Sequence, residues 1–173
     1  FTDRRQRQMC IRDSSIIVEE SSGRVLYSRS ADKQLFPASL TKIMTLYLLF
    51  EALQNRRITL GTRMKVSKVA ASRSPSKLYL KPGQTITVEN AILALVTKSA
   101  NDVATVVSEH LGGNERNFAK KMTRKAKAIG MKRTIFKNAS GLPNQAQLST
   151  ARDMARLGIA IPVSYTHLRA HET

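Results

Sequence analysis

Two short patterns in this chain carry side chains that can do chemistry together. The first is Ser39-Leu-Thr-Lys42, a serine and a lysine three positions apart. On a helix that spacing places hydroxyl and amine on one face, one turn apart. A lysine so placed can take the serine proton and aim the oxygen at a carbonyl carbon. It must be neutral to do so, which means lowering its pKa from ~10.4 towards ~7–8, worth roughly 4 kcal/mol. Burial disfavours the ammonium, and the positive end of a helix adds to that effect. The same helix end favours an alkoxide on Ser39 and can offer a backbone N–H to an oxyanion.

The second pattern is Ser99-Ala-Asn101, the only Ser-x-Asn in the sequence. A second serine can relay a proton to a leaving amine, and an asparagine amide can hold a substrate carbonyl or the lysine. Each pattern has a plainer meaning: a cap serine with a snorkelling lysine, and a helix cap. Ser-x-x-Lys occurs three times, at Ser30/Lys33, Ser39/Lys42 and Ser74/Lys77. The first lies in a polar stretch and the third contains Pro75; only Ser39/Lys42 opens a long apolar helix, where an idle lysine would be costly.

The elements that must position these residues follow from pattern and turn chemistry. Residues 15–19 and 24–28 are β-rich runs around a turn at Gly23, a hairpin. A helix is expected from Ser39 to Asn55, with Ser39 as cap or first residue, and apolar nearly all round, hence buried. A short strand over 62–66 and a short helix over 67–73 follow, then a turn at Lys81-Pro-Gly. Further helices are expected at 88–97 with Thr87 as cap, at 102–111, at 117–128 and from Thr150 onward.

The chain has 173 residues, 42% of them hydrophobic, enough for one domain with an apolar core. Its 29 Lys and Arg against 12 Asp and Glu make it strongly basic, with affinity for polyanions. Residues 1–14 contain no apolar stretch of the signal-peptide type, and no run reaches the ~20 apolar residues of a spanning helix. Arg5–Ser14 and the stretch from Val163 to Thr173 resemble translated adapter sequence. The chain therefore divides into a foreign head, residues 1–14, a genuine domain, residues 15–161, and a foreign tail, residues 162–173. Cys10, His167 and His171 fall in the ends, so residues 15–161 hold no cysteine and one histidine, His110. That composition offers no disulfide, no His-based triad and no metal-ligand cluster, and no cofactor is expected.

The sequence around Ser39, Phe-Pro-Ala-Ser-Leu-Thr-Lys-Ile-Met-Thr, resembles the active-site segment of the low-molecular-mass penicillin-binding proteins, serine-type D-alanyl-D-alanine carboxypeptidases. Leu80-Lys-Pro-Gly83, Lys98-Ser-Ala-Asn-Asp102, Ser140-Gly-Leu142 and Ser149-Thr-Ala-Arg-Asp-Met154 resemble the same family. The resemblance implies an α/β (α+β) fold, the penicillin-binding-protein/β-lactamase-like transpeptidase fold. This chain would hold its N-terminal hairpin and helical region, with the C-terminal sheet strands missing. It implies Ser39 as acylated nucleophile, Lys42 as base, Ser99 as proton relay and Asn101 as a substrate-positioning amide. It further implies peptidoglycan D-Ala-D-Ala stem peptides as substrate, β-lactams as acylating agents and a periplasmic or extracytoplasmic site. Attachment to the membrane would come only from a C-terminal anchor outside this sequence, and no nucleic acid is expected as partner.

The family's third element, Lys-Thr-Gly, occurs nowhere in the 173 residues, so this chain alone is expected to be inactive. The nearest alternative is a class A β-lactamase-like hydrolase. Such an enzyme needs a glutamate for deacylation, and there is none between Glu115 and Glu172. The alternative from another class is a non-catalytic basic binding protein gripping a polyanion through Arg116, Lys120, Lys121, Arg124, Lys125 and Lys127.

Overall fold

The computed structural model describes residues 14–169, and side chains as far as residue 161. The expected foreign head, apart from Ser14, and the side chains of the expected tail, that of His167 included, lie outside the described residues, as do Cys10 and His171.

Strands β1 (Ser15–Val18) and β2 (Val25–Arg29) form an antiparallel hairpin with Ile17 opposite Tyr27. Gly23, at φ 69°, closes it, and its N–H donates to the Glu19 carbonyl at 2.8 Å. A 3-10 turn over Ala38–Leu40 then leads into α1 (Thr41–Gln54). Strand β3 (Arg63–Lys65), α2 (Lys68–Ser72) and β4 (Thr85–Thr87) follow, and β3 and β4 pair antiparallel. Helices α3 (Val88–Thr97), α4 (Asn101–Gly112), α5 (Glu115–Ala128) and α6 (Ala151–Arg169) complete the order.

The centre of the core is α4, buried at every residue from Asn101 to Ser108. It packs against α1, α2, α3 and α5, while α1 packs on α6 as well. Met44, Leu49, Met64, Val103, Val107, Phe118 and Met122 are fully buried in one cluster. Each such side chain stabilises the fold by roughly 1.5–3 kcal/mol through removal from water.

The helices start where capping chemistry predicts. Thr87 accepts from the Asn90 N–H at 3.2 Å, Ser67 from Ala70 at 2.9 Å and Asn114 from Asn117 at 2.8 Å. Two differences from the sequence reading bear on function. Ser39 is not part of α1; it sits in the 3-10 turn, and neither that turn nor α1 has a side-chain cap. Strand β4 was not expected, because its three residues gain their partner from β3, with Ile86 opposite Met64 twenty-two positions earlier.

Candidate active site

Ser39 is exposed at the mouth of α1, two residues after the buried Pro37. Lys42 stands in the first turn of α1 and is only 3% exposed. Its Nζ donates to the Ser140 carbonyl at 2.6 Å, so this amine does not snorkel. Burial pulls its pKa down to about 8, which populates the neutral form near physiological pH.

The segment that supplies Ser140 is fastened along α1. Thr45 donates its hydroxyl to the Ala139 carbonyl at 2.7 Å, and the Gln147 amide reaches the Thr41 hydroxyl at 3.4 Å. Gln147 Oε1 also accepts from the N–H groups of Lys137 and Asn138, at 2.9 and 3.0 Å. Asn138 closes the turn by accepting from Gly141 N–H at 2.7 Å and donating to the Leu142 carbonyl at 2.8 Å.

Gly141 has two reasons to be glycine. Its φ is 87°, a left-handed backbone that disfavours any Cβ. A Cβ there would also lie 1.8 Å from the Ala38 carbonyl oxygen. The backbone of the 138–142 turn thus lies directly against the turn that carries Ser39. Beside them opens a pocket of about 270 Å³ lined by Phe36, Pro37, Ala38, Leu142 and Pro143.

The second pattern is positioned independently. Ser99 lies half-buried between α3 and α4 with φ 51°, a strained region for a residue with a Cβ. It does not cap α4, whose cap position is Ala100 with no side-chain bond. Asn101 is 6% exposed and opens α4, with its Nδ2 donating to the Ser74 carbonyl at 3.2 Å and its N–H to that of Ser76 at 2.7 Å. Ser76 in turn donates its hydroxyl to the Lys98 carbonyl at 2.7 Å.

Sequence reasoning gave no role to Asp102, yet this fully buried carboxylate ties the site together. It accepts from the N–H groups of Leu78 at 3.0 Å, Leu80 at 3.3 Å and Val103 at 2.9 Å. The 74–80 segment is thereby held against the N-terminus of α4, where Ser99 and Asn101 stand. Asp153, in the first turn of α6, accepts from Thr134 Oγ1 and Arg133 N–H, both at 2.8 Å.

The structure therefore brings Ser39, Lys42 and Ser140 to one place and holds Asn101 at the start of α4, which packs against α1, with Ser99 two residues before it. No hydrogen bond joins the two pairs among the described residues. No three His, Cys, Asp or Glu side chains cluster as metal ligands among the described residues either. The arrangement sets an exposed serine hydroxyl three residues before a buried amine.

Comparison with known proteins gives that chemistry a family. Residues 3–171 match the D-alanyl-D-alanine carboxypeptidases of peptidase family S11. D-alanyl-D-alanine carboxypeptidase DacF of Bacillus subtilis is 39% identical over 142 residues, covering 82% of this chain and 36% of that protein. The crystal structure of D-alanyl-D-alanine carboxypeptidase DacD from Francisella tularensis superposes with a TM-score of 0.85 at 33% identity, over 90% of this chain and 39% of that one. The ampicillin-bound form of penicillin-binding protein D2 from Listeria monocytogenes gives 0.79 at 29% identity, over 89% and 62%.

The fold is that of the penicillin-binding proteins. The chain belongs to the D-alanyl-D-alanine carboxypeptidase family, and it spans just over a third of the length of the first of these relatives.

Proposed function

We propose that the protein is a serine-type D-Ala-D-Ala carboxypeptidase acting on peptidoglycan stem peptides through an acyl-enzyme on Ser39. The observation that carries this reading is the contrast between Ser39 and Lys42. Ser39 is exposed and caps no helix, while three residues down the chain the Lys42 amine is buried and held by the Ser140 carbonyl.

Neutral Lys42 takes the proton from Ser39 Oγ as the oxygen attacks the carbonyl of the penultimate D-Ala. Collapse of the tetrahedral adduct expels the terminal D-Ala, whose amine takes a proton delivered through Ser99. Asn101, fixed by the Ser74 carbonyl, orients the peptide with its side-chain carbonyl. Water then releases the shortened peptide from Ser39. The apolar pocket beside Ala38 suits the small methyl groups of such a substrate.

A β-lactam enters the same first step, its ring amide opening onto Ser39, and the tethered leaving group stays in the site. With no glutamate between Glu115 and Glu172, the resulting adduct is long-lived. Family membership and this missing base both favour the carboxypeptidase over a class A β-lactamase. We place the protein outside the cytoplasmic membrane, where its substrate is; no helix among the described residues is long and apolar enough to cross a membrane. Because the 173 residues contain no Lys-Thr-Gly, turnover by this chain alone is expected to be negligible.

The test is labelling of the protein, extended to the family's full domain, with fluorescent penicillin, followed by peptide mass mapping. One stable adduct on Ser39 is expected, and none on Ser39→Ala. Labelling that persists in that variant would place the nucleophile elsewhere, and rapid sustained nitrocefin hydrolysis would favour the β-lactamase.

A further inference from the structure

Helix α5 carries six cations and one acid, Glu115, and the structure separates those cations into two groups. Lys125 pairs with Glu51, and Lys121 donates to the Leu111 carbonyl at 2.6 Å. Glu115 is turned inward, pairing with Arg73 and accepting from the Ala139 N–H. That leaves Arg116, Lys120, Arg124 and Lys127, all exposed, on one side of the helix.

These four line a groove of about 480 Å³ whose far wall is Ile135, Phe136 and Lys137. No acidic residue lines it. At a rise of 1.5 Å per residue the four cations stand about 4.5–6 Å apart along roughly 16 Å of helix. The groove is held open at a set width. Thr123 Oγ1 donates to the Phe136 carbonyl at 3.2 Å and accepts from its N–H at 3.0 Å. The opposite face of α5 buries Phe118, Ala119, Met122 and Ala126, so the helix cannot rotate its charges away.

A merely solvated helix face mixes signs, because opposite charges four residues apart stabilise it and like charges destabilise it by a few tenths of a kcal/mol per pair. Here Arg116/Lys120 and Lys120/Arg124 are like pairs at that spacing. An anion from outside the chain would relieve their mutual repulsion. A row of charges at regular spacing, two of them guanidinium forks, suits a linear polymer bearing phosphates.

The lining also says what kind of polymer. Phe136 is the one aromatic in the groove, and it is 2% exposed, so there is no platform on which a base could stack. The surface is concave, with Ile135 the only exposed large apolar side chain in it, which gives a bilayer little to take up.

We propose that this groove binds a linear, base-free phosphodiester polymer of the polyol-phosphate type. Given the proposed extracytoplasmic role, it thereby holds the protein on anionic polymer in the cell envelope. The contacts are phosphate contacts only, so affinity falls steeply with salt.

The experiment is an anisotropy titration of the 173-residue chain with labelled poly(glycerol phosphate), at salt from about 50 to about 200 mM. The comparison probes are an oligo-dT with the same number of phosphates and vesicles containing phosphatidylglycerol. The expected result is binding with a log–log salt slope of about −3, tighter than to either comparison probe. The triple variant Arg116→Gln/Lys120→Gln/Arg124→Gln is expected to lose at least about tenfold in affinity and about two units of slope. The equally basic control Arg63→Gln/Lys65→Gln/Lys68→Gln, on exposed positions of β3 and α2, is expected to stay within about twofold. Equal losses in both triples would reduce the effect to net charge and overturn the proposal. Absent binding by the unmodified chain, or tighter binding to oligo-dT or vesicles, would overturn it as well. Penicillin labelling of Ser39 reads the catalytic proposal separately, so either can fail without the other.

Discussion

The helical region around Ser39 and the β1–β2 hairpin are equally regular, yet they are held in opposite ways. In the helical region side chains around the candidate site are tied to distant segments. Lys42 is fixed by a carbonyl 98 positions away, Thr45 by one 94 positions away, and Asp102 holds a segment 22 to 24 positions back. In the hairpin, β2 is exposed along its whole length, with Val25 at 42%, Leu26 at 55% and Tyr27 at 50% exposure. Only local strand pairing and the Gly23 turn define its shape, although β1 does pack on α6. The difference teaches that regular secondary structure and a built site are separate achievements. Ladder bonds suffice for the first, and the second needs many non-local constraints on few atoms.

That contrast can be broken or sharpened by substitution. The largest effect is expected from Gly141→Ala, where a methyl meets the Ala38 carbonyl and the backbone is left-handed. A loss of about 3–4 kcal/mol of stability is expected from denaturant titration, with penicillin labelling of Ser39 falling in parallel. A variant as stable as the parent would mean that the 138–142 turn is not pressed against Ser39.

Asp102→Asn comes next. It keeps the shape but replaces one oxygen acceptor with a donor facing backbone N–H groups, at a cost of about 2 kcal/mol. Because Asp102 positions Ser99 and Asn101 rather than touching substrate, the acylation rate should drop more than in a surface variant of equal stability. Equal rates at matched stability would reduce Asp102 to a core residue.

Smaller again is the effect of pH. As the proposed base, Lys42 can act only when neutral, and burial sets its pKa at about 8, below the ordinary lysine value. At pH 7 about a tenth of it is neutral, so acylation should rise about tenfold with increasing pH and level off above roughly pH 9. The sign follows from the base being the deprotonated form. A rate that falls over this range would remove Lys42 from the role.

The smallest effects belong to the hairpin. Val25→Ala and Leu26→Ala, both at exposed positions, are expected to change stability by less than about 0.5 kcal/mol and to leave labelling of Ser39 unchanged. A loss comparable to that from Gly141→Ala would erase the distinction between the two regions.

Much of this was legible in the residues alone. Local pattern found the hairpin and its Gly23 turn, the span of α3 with its Thr87 cap, and the serine-lysine pair at the mouth of α1. These depend on neighbours within about four residues, where propensity and capping act. The same logic misassigned Ser39 to α1, because a serine before an apolar helix ordinarily caps it. Here the turn over Ala38–Leu40 holds its hydroxyl out of any cap.

What only the tertiary structure decided are the partners of those residues. The Ser140 carbonyl for Lys42, the Ala38–Gly141 contact, the pairing of β4 with β3 and the Leu78 and Leu80 amides on Asp102 all join segments far apart in the chain. The chain written out shows which side chains could act as nucleophile, base and relay. Folding chose which lysine would lose its water, because desolvation depends on everything packed around an atom and not on the residues beside it.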